Sequence, residues 1–274
     1  MRYQEHPPPA SVASFVACLW TLTGEGEPSA FQLILPDGRP ELVVHRGDPF
    51  RQKLATGATR RQPRRFVVGQ MAGGVAVAPG PRVETVGVRF TPAGLAPLCA
   101  FPQARLADRI VPLDGLRAPG LRTIAAAVAE APALGDALDA LRRELPRAYA
   151  SSVPLDARLM TAVARITDSG GTAPLEAIAK TVGASPRWLE RHFQAAVGIT
   201  PKRLARLVRF RRAVAALEAD GSDAGAAVAL DHGYYDQAHF IADFRAFAGD
   251  APRRFVQARL AELTRFFVDR GRTA

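Results

Sequence analysis

The stretch LEAIAKTVGASPRWLERHFQAAVGITPKRL, residues 175–204, decides the fold of the C-terminal part of this 274-residue chain, because its spacing is written twice. Ile178-Ala179, Gly183, Leu189, Phe193, Gly198, Pro201 and Leu204 are matched in order by Val228-Ala229, Gly233, Phe240, Phe244, Gly249, Pro252 and Phe255. A single residue is inserted after the turn of the second copy, so the repeat is offset by about 50 residues. Each copy reads as a short helix, a Gly-containing turn and an amphipathic helix.

In the first copy Ile178, Ala179 and Val182 fall on one helical face, and Gly183 stands where a left-handed residue ends that helix. Ser185 is placed to cap the next helix, with Pro186 at its first position, where a missing N–H has no consequence. Leu189, Phe193 and Val197 then point inward and leave Arg187, Glu190, Arg191 and Gln194 outward. In the second copy Val228 and Ala229 pack, Gly233 turns, and Asp236 caps a helix with the stripe Phe240, Phe244 and Phe247. Its outward residues near the start are Gln237, Ala238, His239 and Ala242. The segment between the copies, Pro201 to Glu218, predicts a long helix of ~27 Å carrying Lys202, Arg203, Arg206, Arg209, Arg211 and Arg212 with no acid until its end.

These runs, LEAIAKTVGASPRWLERHFQAAVGITPKRLARLVRFRRA and GYYDQAHFIADFRAFAGDAPRRF, resemble the DNA-binding domain of AraC/XylS-type transcription regulators. The resemblance implies two helix-turn-helix units held apart by the Pro201–Glu218 helix, each reading a major groove of double-stranded DNA about one helical turn apart. It implies base contacts from Arg187, Glu190 and Arg191 in the first unit and from Gln237, Ala238, His239 and Ala242 in the second. Phosphate contacts are expected from Ser185, Lys202, Arg203, Arg206 and Arg209. Two positions depart from the family pattern: Ala242 stands where Arg or Lys is common, and Gly225 where a larger apolar residue is usual. An Arg bidentate to guanine contributes about 1–3 kcal/mol of discrimination, so the first unit is expected to dominate specificity.

Working outward, the length predicts two domains, a β-rich regulatory or dimerisation domain at 1–150 and the double helix-turn-helix domain at 155–265. The expected class is α+β: an N-terminal β-rich barrel or sandwich with flanking helices, followed by an all-α domain. Net charge of +10 agrees with a polyanionic partner. Cys18 and Cys99 are far apart and form no Cys-x-x-Cys pair, so neither a disulfide framework nor a zinc site is signalled. MRYQEHPPPA is polar and Pro-rich rather than an apolar leader, and no run of 18 apolar residues occurs. A cytoplasmic protein is expected.

From about Ser11 to Thr91, short apolar runs such as SFVACLWTLTG, FQLIL, ELVVHRG, RFVVGQMAG, VAVAP and VETVGVRFT alternate with Gly and Pro. Pro36-Asp37-Gly38-Arg39-Pro40 is a turn between two of them. PAGLAPLCAF reads as a short helix, LRTIAAAVAEA and LGDALDALRREL as longer ones split by Pro132, and Pro146 to Pro154 as the interdomain linker. The stripe Ile124, Val128, Leu134, Leu138, Leu141 and Leu145 either covers the β structure or forms a homodimer face. The combination LPDGRPELVV, VVGQ and VGVRFTPAGLAPL resembles the uncharacterised N-terminal domain of one subgroup of the same regulators.

His6 and His45 are isolated in the N-terminal half, which speaks against a cupin-type metal enzyme, and two cysteines exclude a four-cysteine repair sensor. No Walker loop, Gly-x-Ser-x-Gly elbow or Gly-x-Gly-x-x-Gly fingerprint is present. No catalytic residue, metal or cofactor is therefore expected. Two readings stand: a transcription regulator modulated by a small-molecule effector or by dimerisation, contacting RNA polymerase if it is an activator, or an effector-independent architectural DNA-binding protein. Trp20, His45 and Arg89 are the candidate effector contacts in the N-terminal domain.

Overall fold

The computed structural model describes residues 1–26, 31–54, 56–252 and 254–255 apart from 221–230. Side-chain alternation in its strands builds the N-terminal region in three layers. Strand β2 (Val16–Glu25) sends Leu19 to one face and Cys18, Trp20 and Leu22 to the other. Strands β4 (Glu41–His45), β7 (Arg65–Val68) and β9 (Arg82–Phe90) repeat the pattern, with Leu42, Val44, Val67, Val86 and Val88 on the first face and Val43, Phe66 and Val83 on the second. With β1 (Arg2–His6) and β10 (Ile110–Pro112) at the edges they form one antiparallel sheet, ordered β1-β2-β9-β4-β7-β10. A second sheet combines β3 (Gln32–Ile34), β5 (Arg51–Lys53), β6 (Thr59–Arg61) and β8 (Val75–Ala78) in the order β3-β8-β5-β6. The domain is an open sandwich, since neither sheet closes on itself.

The first face of the large sheet is covered by helices α1 (Pro119–Glu130) and α2 (Leu134–Ala150). Ile124, Val128, Leu138, Leu141 and Leu145 are buried in that layer and Leu134 packs at its border. The stripe thus covers the sheet and is not left over as a face for pairing chains. Helix α2 also runs through Pro146 to Ala150, where a linker is expected from the sequence. Its last turn survives the missing N–H because Tyr149 stacks on Phe15 at 4.7 Å and donates its hydroxyl to the Gly94 carbonyl at 2.8 Å. The expected helix after Pro92 is a single 3-10 turn at Ala96–Leu98.

The C-terminal region is helical: α3 (Ala157–Asp168), α4 (Leu175–Thr181), α5 (Pro186–Ala196), α6 (Pro201–Asp220) and α7 (Gln237–Ala248). Two cores lie along α6. One gathers Leu159, Ile166, Ile178, Leu189, Phe193 and Leu204, the other Leu207, Phe210, Leu217, Phe240, Phe244 and Phe247. Val228, Ala229 and Gly225, the expected scaffold helix of the second unit, lie outside the described residues.

The sandwich packs on both cores. Ala93 joins the first, and Leu33 and Leu35 join the second. The Gly74 N–H donates to the Phe247 carbonyl at 2.9 Å, tying the sandwich to the end of α7. Asp108, with φ 58°, accepts from the Ala72 N–H and lies 4.0 Å from Arg203 at the start of α6.

Candidate nucleic-acid interface

The two helix-turn-helix turns have matching stereochemistry. Gly183 (φ 62°) and Gly233 (φ 76°) occupy the left-handed region before each reader helix, and Gly198 (φ 91°) and Gly249 (φ 79°) occupy it after. A Cβ at these turns would be strained, so glycine is required for the chain to reverse direction. Ser185 Oγ accepts from the Trp188 N–H at 3.1 Å, and Asp236 Oδ1 accepts from the His239 N–H at 2.7 Å. Both reader helices are therefore N-capped at their third residue and start at a defined angle.

On α5, Leu189 and Phe193 are buried and Arg187, Glu190, Arg191 and Gln194 are exposed. Trp188 is half-buried; the Arg158 guanidinium sits over its ring at 4.4 Å and His192 stacks on it at 3.9 Å. That stack anchors α5 to the start of α3 and leaves the outward residues clear. On α7, Gln237, Ala238 and Ala242 are exposed, while His239 is half-buried with its ring edge-on to Tyr234 at 5.2 Å.

The basic face of α6 divides. Lys202 is exposed, and Arg203 is half-buried beside Asp108. Arg206 forms a forked contact with Asp243 Oδ1, at 3.0 Å from Nε and 2.6 Å from Nη2, and lies over the Phe247 ring at 5.5 Å. Asp243 is 1% exposed, so this pair fastens α7 to α6 in the interior. Arg209 donates to the Gly171 carbonyl at 2.8 Å and covers the Tyr234 ring at 5.7 Å. Sequence reasoning missed the staple, although one cue existed: Asp243 interrupts the apolar stripe of Phe240, Phe244 and Phe247 at a core position.

Residues 178–258 match a family described as a helix-turn-helix domain, and residues 4–112 match a domain of unknown function. The C-terminal part of the chain thus carries a helix-turn-helix domain by sequence match as well as by its turns and caps. No curated protein matches the chain. Among solved structures, this chain is similar to ToxT from Vibrio cholerae, with 8% identity, 94% of this chain and 98% of that chain covered, and a TM-score of 0.47. ToxT bound to (E)-4-(8-methylnaphthalen-1-yl)but-3-enoic acid aligns at 8% identity over 94% and 99%, TM-score 0.46. ToxT bound to an unsaturated fatty acid aligns at 9% over 87% and 93%, TM-score 0.44.

The three expected effector contacts lie in the sandwich. Trp20 is packed between the sheets with its indole N–H buried and without a hydrogen-bond partner among the described residues. His45 is bonded to Thr85 Oγ1 at 2.9 Å and Gln62 Oε1 at 3.1 Å and stacks on Phe50; burial pushes its pKa down to about 4 and keeps it neutral. Arg89 meets Glu41 at 2.7 Å, Glu5 at 2.9 Å and Asp37 at 3.4 Å. Burial works against its charge, but Glu41 and Asp37 outweigh it and hold the pKa above the ordinary value. Burial pushes the thiols of Cys18 and Cys99 up to about 11. Among the described residues no group of acidic, His and Cys side chains could hold a metal ion, and no helix is long and apolar enough to cross a membrane.

Proposed function

We propose that one chain reads two successive major grooves. Arg187, Glu190 and Arg191 contact bases in one, and Gln237, Ala238, His239 and Ala242 face the other. The observation that carries this reading is the pair of identically capped, outward-facing helix starts joined by α6, whose 20 residues span ~30 Å, close to one helical turn of DNA. Ser185, Lys202 and Arg203 serve phosphates: the Ser185 hydroxyl keeps its proton for donation while its lone pair caps α5. Arg206 and Arg209 are assigned instead to fastening the helices, because both already have internal acceptors.

The sandwich is the modulating part of this reading, through an effector or a second copy of the chain. Support comes from its contacts with both cores: a shift of Leu35 or Ala93 moves one reader relative to the other. Selection of duplexes from a random-sequence pool by the full chain tests the proposal. Enrichment of a two-part site with halves about 10 bp apart is expected. Enrichment of a single half-site, or of none, overturns it.

A further inference from the structure

The residues from 51 to 65 contain Arg51, Lys53, Arg60, Arg61, Arg64 and Arg65 and no carboxylate, so positive charge equal to more than half of the chain's net +10 lies in one short segment. Four of the six, Arg51, Lys53, Arg60 and Arg61, lie on the β5–β6 hairpin, with β6 at the free edge of the small sheet and all three of its residues exposed, while Arg64 donates to the Gly47 carbonyl at 3.0 Å and Arg65 begins β7, 3.6 Å from Asp114. Several arginines elsewhere meet acids, as Arg46 does Glu84, Arg89 does Glu41 and Arg206 does Asp243. Lys53, Arg60 and Arg61 form no ion pair among the described residues; Arg60 reaches only the Gln52 amide oxygen, at 3.4 Å.

The register makes the charge more pointed. Arg51 lies directly opposite Arg61, and Lys53 follows on the same face of β5. Like charges directly across a strand pair repel, which a bound polyanion would offset, and Arg51 also lies over the Phe31 ring at 5.7 Å. Charged residues on an edge strand also prevent edge-to-edge pairing, but that role is met by one or two charges of either sign. It does not explain a one-sign cluster with two arginines face to face.

We propose that the β5–β6 hairpin is a second DNA-binding element that grips phosphates flanking the site read by the helices. This rests on the DNA-reading function proposed above. Placement favours DNA over an acidic protein partner. The small sheet starts at β3, whose Leu33 packs into the core of the second reading unit, and ends at β6, about 14 Å away by strand spacing. The hairpin is thus tied to the domain that holds the duplex, and guanidinium groups suit phosphate oxygens.

The test uses the full chain and the duplex selected from the random pool, either trimmed to the two-part site or extended by about 12 bp, just over one helical turn, on each side. Replacing Lys53, Arg60 and Arg61 together with Gln should weaken binding to the extended duplex tenfold or more at low salt. The slope of log affinity against log salt should fall by about 0.9 for each phosphate that the variant no longer neutralises. Binding to the trimmed duplex and preference over scrambled DNA should be unchanged. Arg61→Gln alone should lower affinity for the extended duplex by a smaller factor than the triple replacement. Should the triple variant fold poorly, the hydroxyl-radical footprint of the unaltered protein decides, since it should protect backbone beyond the two-part site. An unchanged slope on the extended duplex, or a footprint that stops at the site, overturns the hairpin's role and leaves the reading helices standing. Failure to enrich any duplex overturns both.

Discussion

The first reading unit closes its core mainly with its own aliphatic side chains, with the small Ala93 entering from the sandwich, whereas the second is closed by aromatic rings and by larger contributions from elsewhere. Leu159, Ile166, Ile178 and Leu189 surround Phe193 in the first. In the second, Phe244 makes edge contacts with Phe210, Phe240 and Phe255 at 5.2, 5.5 and 5.2 Å, Leu35 enters from the sandwich, and the Arg206–Asp243 pair ties α7 to α6. The exposed faces differ in the same sense: α5 offers Arg187 and Arg191, α7 offers Gln237 and Ala242. A unit that depends on its neighbours for order and shows few long polar side chains is suited to following the first unit onto DNA.

The largest expected effect tests the aromatic core. Phe244→Ala should cost about 3–5 kcal/mol, because a fully buried ring leaves a cavity. Segment-resolved hydrogen exchange should then show protection reduced in α7 and retained in α4 and α5. A reduction in both units together would show that they form a single cooperative block and break the comparison.

Next is the difference in reading power. Arg187→Ala or Arg191→Ala should each lower discrimination by about 1–3 kcal/mol and relax one or two base pairs in the first half-site. Gln237→Ala should change selectivity less; an equal or larger loss from it would reverse the ranking of the units. Both are read by competition binding with single-base variants of the selected duplex.

A smaller effect is expected from Asp243→Asn. The Arg206 side chain is 36% exposed, so solvent screens its half of the pair, and the loss should be about 1–2 kcal/mol rather than that of a wholly buried pair. Chemical denaturation measures it, and the tolerance for half-site spacing should widen in the same variant. Smallest is a gain: Ala242→Arg should add about 1 kcal/mol of selectivity at the second half-site, sharpening a contact that this chain lacks. No new base preference in that variant would place Ala242 away from the groove floor.

What the sequence made legible was local. Gly183, Ser185, Pro186 and the Leu189–Phe193 spacing act within a few residues of one another, so the turns, caps and inward faces could be read directly. The sandwich was legible as strand texture, since Leu19, Val43 and Val88 sit in alternating runs. Strands β1, β5, β6 and β10 escaped, because β1, β6 and β10 are edge strands, β5 is three polar residues, and all four are defined by hydrogen bonds to a neighbour rather than by hydropathy. Arg206 and Arg209 read as phosphate contacts because their internal partners, Asp243 and the Gly171 carbonyl, lie 37 and 38 residues away. The entry of Leu35 into the second core was invisible for the same reason: nothing in a leucine says which of two cores it will join.

Helix α6 is a strut of fixed length. Its span of ~30 Å falls a few ångströms short of the ~34 Å between successive groove faces of straight DNA. An α-helix does not stretch, whereas a duplex curves by about 40–90° for about 1–6 kcal/mol, so on the two-groove reading proposed above the mismatch would be absorbed by the nucleic acid. The Arg206–Asp243 staple and the Leu35 wedge remove the slack that would let the second reader swing outward instead. On that reading base pairs between the two half-sites would enter selectivity through their stiffness. Pyrimidine–purine steps should be enriched there, and circularly permuted fragments should show curvature centred between the half-sites.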